Sequence, residues 1–321
     1  MDKDDKIFVA GHKGMVGSAV VRNLKSKGYT NILTAPREEL DLTTQEQVLD
    51  WFHENTPNVV VDCAAKVGGI HSNNVYRADF IHQNLQIQNN LIEACHAVDI
   101  SKLLFLGSVC IYPKFVDQPI KEEYLLRSPL EPTNEPYAIA KIAGIKTCES
   151  YYKQHGSNYY SVMPANLYGP NDNFHPENSH VLPALIRRFH EARESLQSVV
   201  TVWGTGEAMR EFMHVDDLAD ACVYLLENVE AEQVYSQGVS QINIGTGKDI
   251  SIKDLAHLIS KAVGYEGEIS FDLTKPDGTL KRVLDSSRLS RLGWNHKIDL
   301  EEGLIGTYKW YKENIENIRS V

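Results

Sequence analysis

Ile7-Phe8-Val9-Ala10-Gly11-His12-Lys13-Gly14-Met15-Val16-Gly17 is the stretch that gives the clearest indication of this chain's architecture. Its four leading apolar residues predict a buried strand, and a helix is expected from residue 18 to about residue 27. A glycine loop between a strand and a helix lets the backbone approach a pyrophosphate at the helix N-terminus. The spacing Gly-x-x-Gly-x-x-Gly is also compatible with a plain glycine-rich turn, but the flanking strand and helix favour a dinucleotide site.

Apolar and helical segments alternate through the first half of the chain. Strands are predicted at residues 31–34, 59–65, 103–107 and 160–163, with helices at 44–54, at 78–98 and after Pro136. This alternation predicts an α/β fold with a doubly wound parallel sheet that is covered on both faces. Asn84 lies inside the second of these helices, and we expect its side chain to tie the helix to the active-site backbone.

Arg37 follows the second predicted strand, where an acidic residue would bind the ribose 2′-hydroxyl of NAD. A guanidinium instead suits a 2′-phosphate, and Lys13 in the glycine loop could assist it. Unless Arg37 is merely a solvated surface residue, the sequence predicts a preference for NADP(H).

Tyr137 and Lys141 are four residues apart, so a helix would place them on one face, a single turn from each other. A protonated amine beside a phenol is expected to lower the pKa of the tyrosine, which suits proton transfer at a carbonyl oxygen. Ser108 strengthens the hypothesis because it ends an apolar strand, where parallel sheets bind ligands. A second pair with this spacing, Tyr308 and Lys312, is interpreted as ordinary surface of the last helix.

The composition changes after residue 170, and the second half carries a different set of candidate residues. Arg188, Trp203 and Arg210 offer cations for phosphates and an aromatic wall, as a nucleoside diphosphate requires. The alternative is that these arginines are scattered over the surface. Ser251 is expected to cap a helix, and the loop 275–279 could close over a ligand.

Charge and cysteine content limit the classes of function. The 321 residues carry a net charge of −11, which argues against a general nucleic-acid surface. The five cysteines show neither disulfide nor zinc spacing, so we expect a reducing cytoplasm and no metal site. The first residues are too polar for a secretory signal, and no apolar run is long enough to cross a membrane.

Together these motifs resemble the extended short-chain dehydrogenase/reductase family along essentially the whole chain. The shared features are the glycine loop, Ser108, Tyr137, Lys141, Asn166-x-Tyr168-Gly169-Pro170 and Arg210-Glu211-Phe212-x-His214-Val215-Asp216-Asp217. A narrower similarity, to family members that epimerise and reduce a GDP-sugar, rests on residues 65–70, 107–113 and 173–180. Two small departures are Lys13 and Val109, where close relatives often have arginine and serine.

The resemblance implies a homodimer that uses NADP(H) and a GDP-sugar and binds neither nucleic acid nor membrane. It implies an NADP-binding Rossmann domain at residues 1–170 plus about 212–245, and a smaller mixed α/β substrate domain at about 171–211 plus 246–321. The implied cofactor contacts are Gly11, His12, Lys13, Gly14, Met15, Val16, Gly17, Arg37, Leu106, Gly107, Ser108, Val109, Lys141, Pro164, Ala165, Asn166, Leu167 and His180. The implied GDP-sugar contacts are Arg188, Trp203, Arg210 and Asp277.

The resemblance also assigns catalytic roles. Ser108, Tyr137 and Lys141 would serve reduction of a C4 ketone, whereas Cys110 and His180 would serve epimerisation at C3 and C5. A thiol needs a depressed pKa to act as a base, and we expect Lys141 and a cationic His180 to supply it. The alternative for Cys110 is a small, buried apolar residue.

Two other functions compete with this hypothesis. The first is a nucleotide-sugar epimerase or dehydratase that retains NAD, against which Arg37 and Cys110 argue. The second is a non-catalytic NADP(H)-sensing protein, against which the intact set of Ser108, Tyr137 and Lys141 argues.

Overall fold

A six-stranded parallel sheet is the centre of the computed structural model, which describes residues 1–176, 178–275 and 277–318, except the side chains of residues 70, 71 and 317. The strands of the chain are β1 (Ile7–Ala10), β2 (Ile32–Leu33), β3 (Val59–Asp62), β4 (Lys102–Leu106), β5 (Tyr159–Pro164), β6 (Asn166–Tyr168), β7 (Val199–Trp203), β8 (Met209–His214), β9 (Gln241–Ile244), β10 (Asp249–Ser251), β11 (Glu268–Asp272) and β12 (Lys281–Arg282). The central sheet has the order β2-β1-β3-β4-β5-β9, so the chain winds outward from β1 in both directions. The predicted doubly wound α/β fold is confirmed.

Helices cover both faces of this sheet. They are α1 (Met15–Ser26), α2 (Gln45–Asn55), α3 (Ile70–Val75), α4 (Arg77–Ala97), α5 (Glu135–His155), α6 (Val181–Glu194), α7 (Val215–Asn228), α8 (Ala231–Tyr235), α9 (Ile252–Val263), α10 (Ser287–Arg291) and α11 (Leu300–Asn314). Helix α1 packs against α7, whereas α4 packs against both α2 and α5. Helix α1 begins three residues earlier than predicted, because Gly14 is its N-cap and already accepts the N–H of Ser18 at 3.0 Å.

A second hydrophobic cluster forms the core of the smaller part of the chain. It includes Phe189 of α6, Leu255 of α9 and Tyr311 of α11. Strand β7 pairs with β11, and β8 pairs with β6, β10 and β12. The domain boundaries stay a prediction; Leu284 and Leu289, from the range predicted for the substrate domain, pack within the hydrophobic cluster that contains the strands of the central sheet.

Two local predictions have opposite outcomes. The hydroxyl of Ser251 accepts the N–H of Asp254 at 2.9 Å, which confirms the predicted cap of α9. The interpretation of Tyr308 as helix surface is wrong, because its side chain is buried in the second cluster and its hydroxyl lies 3.0 Å from Nδ1 of His190. Within the described residues, no helix combines the length and the apolarity that a membrane span requires.

Candidate active site

The glycine loop between β1 and α1 makes two close backbone contacts. Gly11 has φ +74°, and a Cβ there would lie 2.9 Å from the Cα of Ala64 on the neighbouring strand end. A Cβ on Gly17 would lie 2.3 Å from the carbonyl oxygen of Gly11. No side chain caps the first turn of α1, so its N–H groups remain available to an anion. The loop therefore fits the pyrophosphate of a dinucleotide.

Two cations flank this loop where a 2′-phosphate is expected. Arg37 lies 3.4 Å from Asp41 with its side chain 71% exposed, and Lys13 lies 3.9 Å from Glu38. Exposed ion pairs of this kind contribute only about 0–1 kcal/mol. A dianionic phosphate can therefore compete with these carboxylates for both side chains. The acidic partners of the two cations were not predicted from the sequence.

The other predicted cofactor positions lie at the carboxyl ends of the parallel strands. Leu106 ends β4, and Gly107 donates its N–H to the carbonyl of Val162 at 2.9 Å. The residues that share this edge or the first turn of α1 are His12, Met15, Val16, Val109, Pro164, Ala165, Asn166 and Leu167. Because parallel α/β sheets bind ligands at this edge, one extended molecule could contact all of them.

Ser108 connects two of the candidate catalytic side chains. Its hydroxyl lies beside the phenol of Tyr137 and the thiol of Cys110, and it opposes the rise in the pKa of both groups. Ser108 precedes a short 3-10 turn, Val109–Ile111, whereas Tyr137 lies in the first turn of α5. The structure thus brings together three residues that are separated by up to 29 positions in sequence (137 − 108 = 29).

The expected effect of Lys141 on Tyr137 is wrong. Burial raises the pKa of Tyr137, with a further contribution from Cys110, and the hydrogen bond from Ser108 only partly opposes it. The ammonium of Lys141 instead donates to the carbonyl oxygen of Leu106 at 2.8 Å and lies 4.6 Å from the ring centroid of Phe105. Burial lowers the pKa of Lys141 itself.

Cys110 also differs from the prediction. Burial raises the pKa of its thiol, although the hydrogen bond from Ser108 and the charges of Arg282 and Lys141 oppose the rise. Arg282, which sequence reasoning missed, donates to the carbonyl of Val109 at 3.0 Å. It also donates to the carbonyls of the two residues that follow the turn, Tyr112 and Pro113. Its strand, β12, has only two residues, so no periodic pattern could have revealed it.

His180 is the N-cap residue of α6. The residue is exposed, yet the surrounding protein desolvates the imidazole and lowers its pKa. His180 is therefore neutral at pH 7, and the predicted cationic form is wrong. Gly69 donates its N–H to the carbonyl of Asn178 at 3.2 Å, so the loop after β3 adjoins the segment that leads to His180.

Asn84 holds the start of that same loop. Its side-chain oxygen accepts the N–H of Lys66 at 2.8 Å, and its amide donates to the carbonyl of Lys66 at 3.0 Å. The predicted tie between α4 and the active-site backbone is confirmed. Glu177 and Pro276, which belong to two of the motifs singled out above, lie outside the described residues.

The predicted GDP-sugar residues form one cluster on the smaller part of the chain. The guanidinium of Arg188 lies 6.0 Å from the ring centroid of Trp203, and the ammonium of Lys275 lies 5.2 Å from it. Trp203 is 63% exposed, so its ring is available to a planar ligand. Lys275 begins the loop 275–279 that the sequence predicted could close over a ligand, but its contact with Trp203, at the end of β7, was not predicted.

Arg210 and Asp277 complete this cluster. Asp277 accepts the N–H of Thr205 at 2.9 Å and its hydroxyl at 2.7 Å, which fixes the turn after β7. Arg210 donates to the carbonyls of Met209 and Thr279. Burial lowers the pKa of Arg210, and so does the neighbouring charge of Arg282, so two partly buried cations lie side by side. Such a pair is suited to a diphosphate.

The part of the chain that the structure describes contains no group of three or more His, Cys, Asp or Glu side chains that could hold a metal ion. All five cysteines are free.

The chain is similar to known proteins over nearly its full length. The chain is 58% identical to GDP-L-fucose synthase 1 of Arabidopsis thaliana, covering 98% of this chain and 96% of that protein. It is 54% identical to GDP-L-fucose synthase of Escherichia coli strain K12, covering 98% of both proteins. A GDP-mannoheptose C4 reductase from Campylobacter jejuni, solved with NADP bound, superposes with a TM-score of 0.90 at 40% identity, covering 97% of this chain and 99% of that one.

The sequence profile of the NAD dependent epimerase/dehydratase family matches residues 7–245, which include the glycine loop, Ser108, Tyr137 and Lys141. The match therefore spans the central sheet from β1 to β9. The chain belongs to the NAD dependent epimerase/dehydratase family, within which it is similar over nearly its full length to GDP-L-fucose synthases.

Proposed function

We propose that this protein converts GDP-4-keto-6-deoxy-D-mannose to GDP-L-fucose, by epimerisation at C3 and C5 followed by NADPH-dependent reduction at C4. The observation that carries the proposal is the proximity of one hydroxyl, Ser108, to both a phenol and a thiol, whose pKa values it influences. A ketone oxygen at this point would have a proton donor and a candidate base beside it. Two relatives above 50% identity are GDP-L-fucose synthases, which supports this substrate over other GDP-sugars.

NADP(H) is the cofactor that the chain is suited to hold. The glycine loop would receive the pyrophosphate, Arg37 and Lys13 the 2′-phosphate, and Lys141 the nicotinamide ribose. When bound, the reduced cofactor supplies the hydride for C4. The protein's own contribution is to orient the sugar and to manage its protons.

Tyr137 acts as the acid of the reductive step. Because burial raises its pKa, the phenol remains protonated at neutral pH, which is the form that donates to a developing alkoxide. Ser108 hydrogen-bonds the same oxygen and stabilises its negative charge, as an oxyanion-hole donor would. Lys141 keeps a positive charge in this buried environment and holds the cofactor.

Cys110 acts as the base that removes the proton at C3 or C5 and then releases it to solvent, and His180 takes up a proton from solvent and delivers it to the other face of the sugar. Deprotonation places charge on the C4 oxygen, where Ser108 and Tyr137 stabilise it. The Arg282 guanidinium and the Lys141 ammonium favour the thiolate of Cys110. Each proton removed is replaced by one from solvent, so the reaction in D₂O introduces deuterium at C3 and C5.

The GDP part of the substrate binds on the smaller part of the chain. Arg188 and Arg210 pair with the diphosphate, while Trp203 packs against a planar or apolar part of the ligand. Asp277 holds the turn beside Trp203 and faces Arg210. We expect the sugar to extend from this cluster towards the edge of the central sheet, where Ser108 lies.

We also infer that the protein works as a homodimer in the cytoplasm. The dimer follows from the resemblance to extended short-chain dehydrogenases/reductases, and the five free cysteines suit a reducing compartment. Light scattering on the purified protein tests the assembly: a mass near 36.2 kDa would contradict the dimer.

The deciding experiment incubates the protein with GDP-4-keto-6-deoxy-D-mannose and NADPH in D₂O and identifies the product by NMR. We expect GDP-L-fucose with deuterium at C3 and C5. Cys110→Ser should lose most of this deuterium incorporation, and His180→Gln should exchange without productive inversion or with slowed inversion. Absence of turnover, or tightly retained NAD in the purified protein, would reject the proposed function; wild-type exchange in Cys110→Ser would assign the base elsewhere.

A further inference from the structure

Asp62 is a buried carboxyl beside the active site that the mechanism above does not use. It is the last residue of β3 and has no exposed surface. One carboxyl oxygen accepts the N–H of Ala64 at 3.1 Å, whereas the other is buried without a hydrogen-bond partner in the described part of the chain. A buried polar atom without a partner costs free energy, so its presence requires an explanation.

The sheet register places Asp62 on the same layer as Lys141. Asp62 pairs with Phe105 on the neighbouring strand β4, and paired residues of adjacent strands point to the same face. The ring centroid of Phe105 lies 4.6 Å from the ammonium of Lys141. Lys141 is 3% exposed and donates to the carbonyl of Leu106, the residue after Phe105, and not to Asp62.

An ammonium buried this deeply is expensive unless a negative charge lies near it. Asp62 is the first of the groups that oppose the effect of burial on Lys141; the others are the thiols of Cys110, Cys63 and Cys148. Asp62 itself also faces Cys95 and Cys148, which lie on α4 and α5. Burial raises the pKa of Asp62, and the charge of Lys141 and the hydrogen bond from Ala64 oppose that rise. Thiols carry little charge at neutral pH, so the ionised form of Asp62 is the principal countercharge in this layer.

We propose that Asp62 is a positioning residue that keeps Lys141 charged from a distance, while leaving the lysine's donors free for Leu106 and the cofactor. The inference rests on the proposed function and adds to it a residue that touches neither substrate nor cofactor. A direct ion pair would consume the donors with which Lys141 binds; a carboxylate in the same layer avoids this. The charge of Lys141 then depends on a residue of β3 as well as on the position of Lys141 in α5.

The test uses Asp62→Asn, which keeps the shape and the acceptor for Ala64 but removes the charge. Asp62→Leu is a second neutral variant, in case the first folds poorly. The matched control is Asp172→Asn: Asp172 is equally buried, also has one unpartnered carboxyl oxygen, and is not among the groups that act on Lys141.

Two readouts are compared in the full-length proteins. The first is the titration of the Lys141 side chain by NMR on lysine-labelled protein, assigned with Lys141→Arg. The second is the pH dependence of kcat for C4 reduction. In the Asp62 variants we expect the titration midpoint and the alkaline limb of kcat to move to lower pH by about one unit or more, with neither moving in Asp172→Asn.

Unchanged midpoints in both Asp62 variants would overturn the proposal. An equal shift in Asp172→Asn would do so too, because the effect would then be general destabilisation. The NMR titration needs no substrate, so a protein that shows the shift but no turnover would reject the proposed function and retain the role of Asp62.

Discussion

Substituting Gly17 by alanine tests whether the close contact between α1 and the glycine loop is required for cofactor binding. Gly17 lies in the first turn of α1, and an added Cβ would lie 2.3 Å from the Gly11 carbonyl oxygen and 2.8 Å from the Cα of His12. These are backbone atoms of the loop that would hold the pyrophosphate. The methyl group therefore cannot be accommodated by a side-chain rotation and must displace the helix.

The size of the effect follows from these distances. Reaching an ordinary contact of 3.4 Å requires the start of α1 to move by 1.1 Å (3.4 − 2.3 = 1.1). Overpacking of this kind costs about 1–3 kcal/mol, against a gain of about 0.5–1 kcal/mol for alanine over glycine in a helix. We expect the free energy of unfolding to fall by about 1–2 kcal/mol. Losing one hydrogen bond to a charged phosphate should weaken NADPH binding at least about tenfold.

The assay is urea unfolding together with NADPH titration by fluorescence, and the matched control is Gly306→Ala. Gly306 lies in α11 with nothing within 4 Å of an added Cβ. We expect that control to gain up to about 1 kcal/mol of stability and to bind NADPH normally. If Gly17→Ala bound NADPH as tightly as the wild type, the contact would not define the cofactor site.

Three further outcomes are expected. Arg37→Ala should lower kcat/KM for NADPH about tenfold or more and leave that for NADH nearly unchanged, because only NADPH carries the 2′-phosphate; equal efficiency of the two cofactors in the wild type would contradict this. Tyr137→Phe should slow C4 reduction by about 10²–10⁴-fold while deuterium still enters C3 and C5, and near-normal reduction would refute the role of the phenol. Burial raises the pKa of Asp172 from 3.8 to about 7, so the folded state binds this proton more tightly than the unfolded state and wild-type stability falls as pH rises between those values. Asp172→Asn should therefore raise the free energy of unfolding by about 1 kcal/mol or more at pH 8 relative to its effect at pH 4, and calorimetry that finds no pH dependence would exclude a buried charge.

Features that depend on neighbours along the chain were predictable. The strand, glycine loop and helix at the N-terminus and the cap at Ser251 each follow from local spacing and side-chain chemistry. The i,i+4 spacing of Tyr137 and Lys141 likewise placed both residues on α5. Such patterns recur because backbone geometry and hydrogen-bonding capacity are set within a few residues.

The electrostatics of the site could not be predicted in this way. The sequence indicated a lowered pKa for Tyr137 and Cys110, whereas the structure raises both, because desolvation outweighs the neighbouring charges. Spacing along a helix says that two side chains share a face, but it does not say how much water reaches them or where an ammonium points. In this protein the ammonium of Lys141 points to the carbonyl of Leu106.

The positions of Arg282 and Asp62 in the site also could not be predicted from local sequence. Arg282 lies 172 positions from Cys110 in sequence (282 − 110 = 172), and a two-residue strand carries it to the catalytic turn. Asp62 and Lys141 are each next to Phe105, one through strand register and the other through its ammonium. Local sequence thus predicted the elements and indicated the candidate site residues, while the charges and partners of those residues arose from packing, since burial and long-range contact exist only in the folded chain.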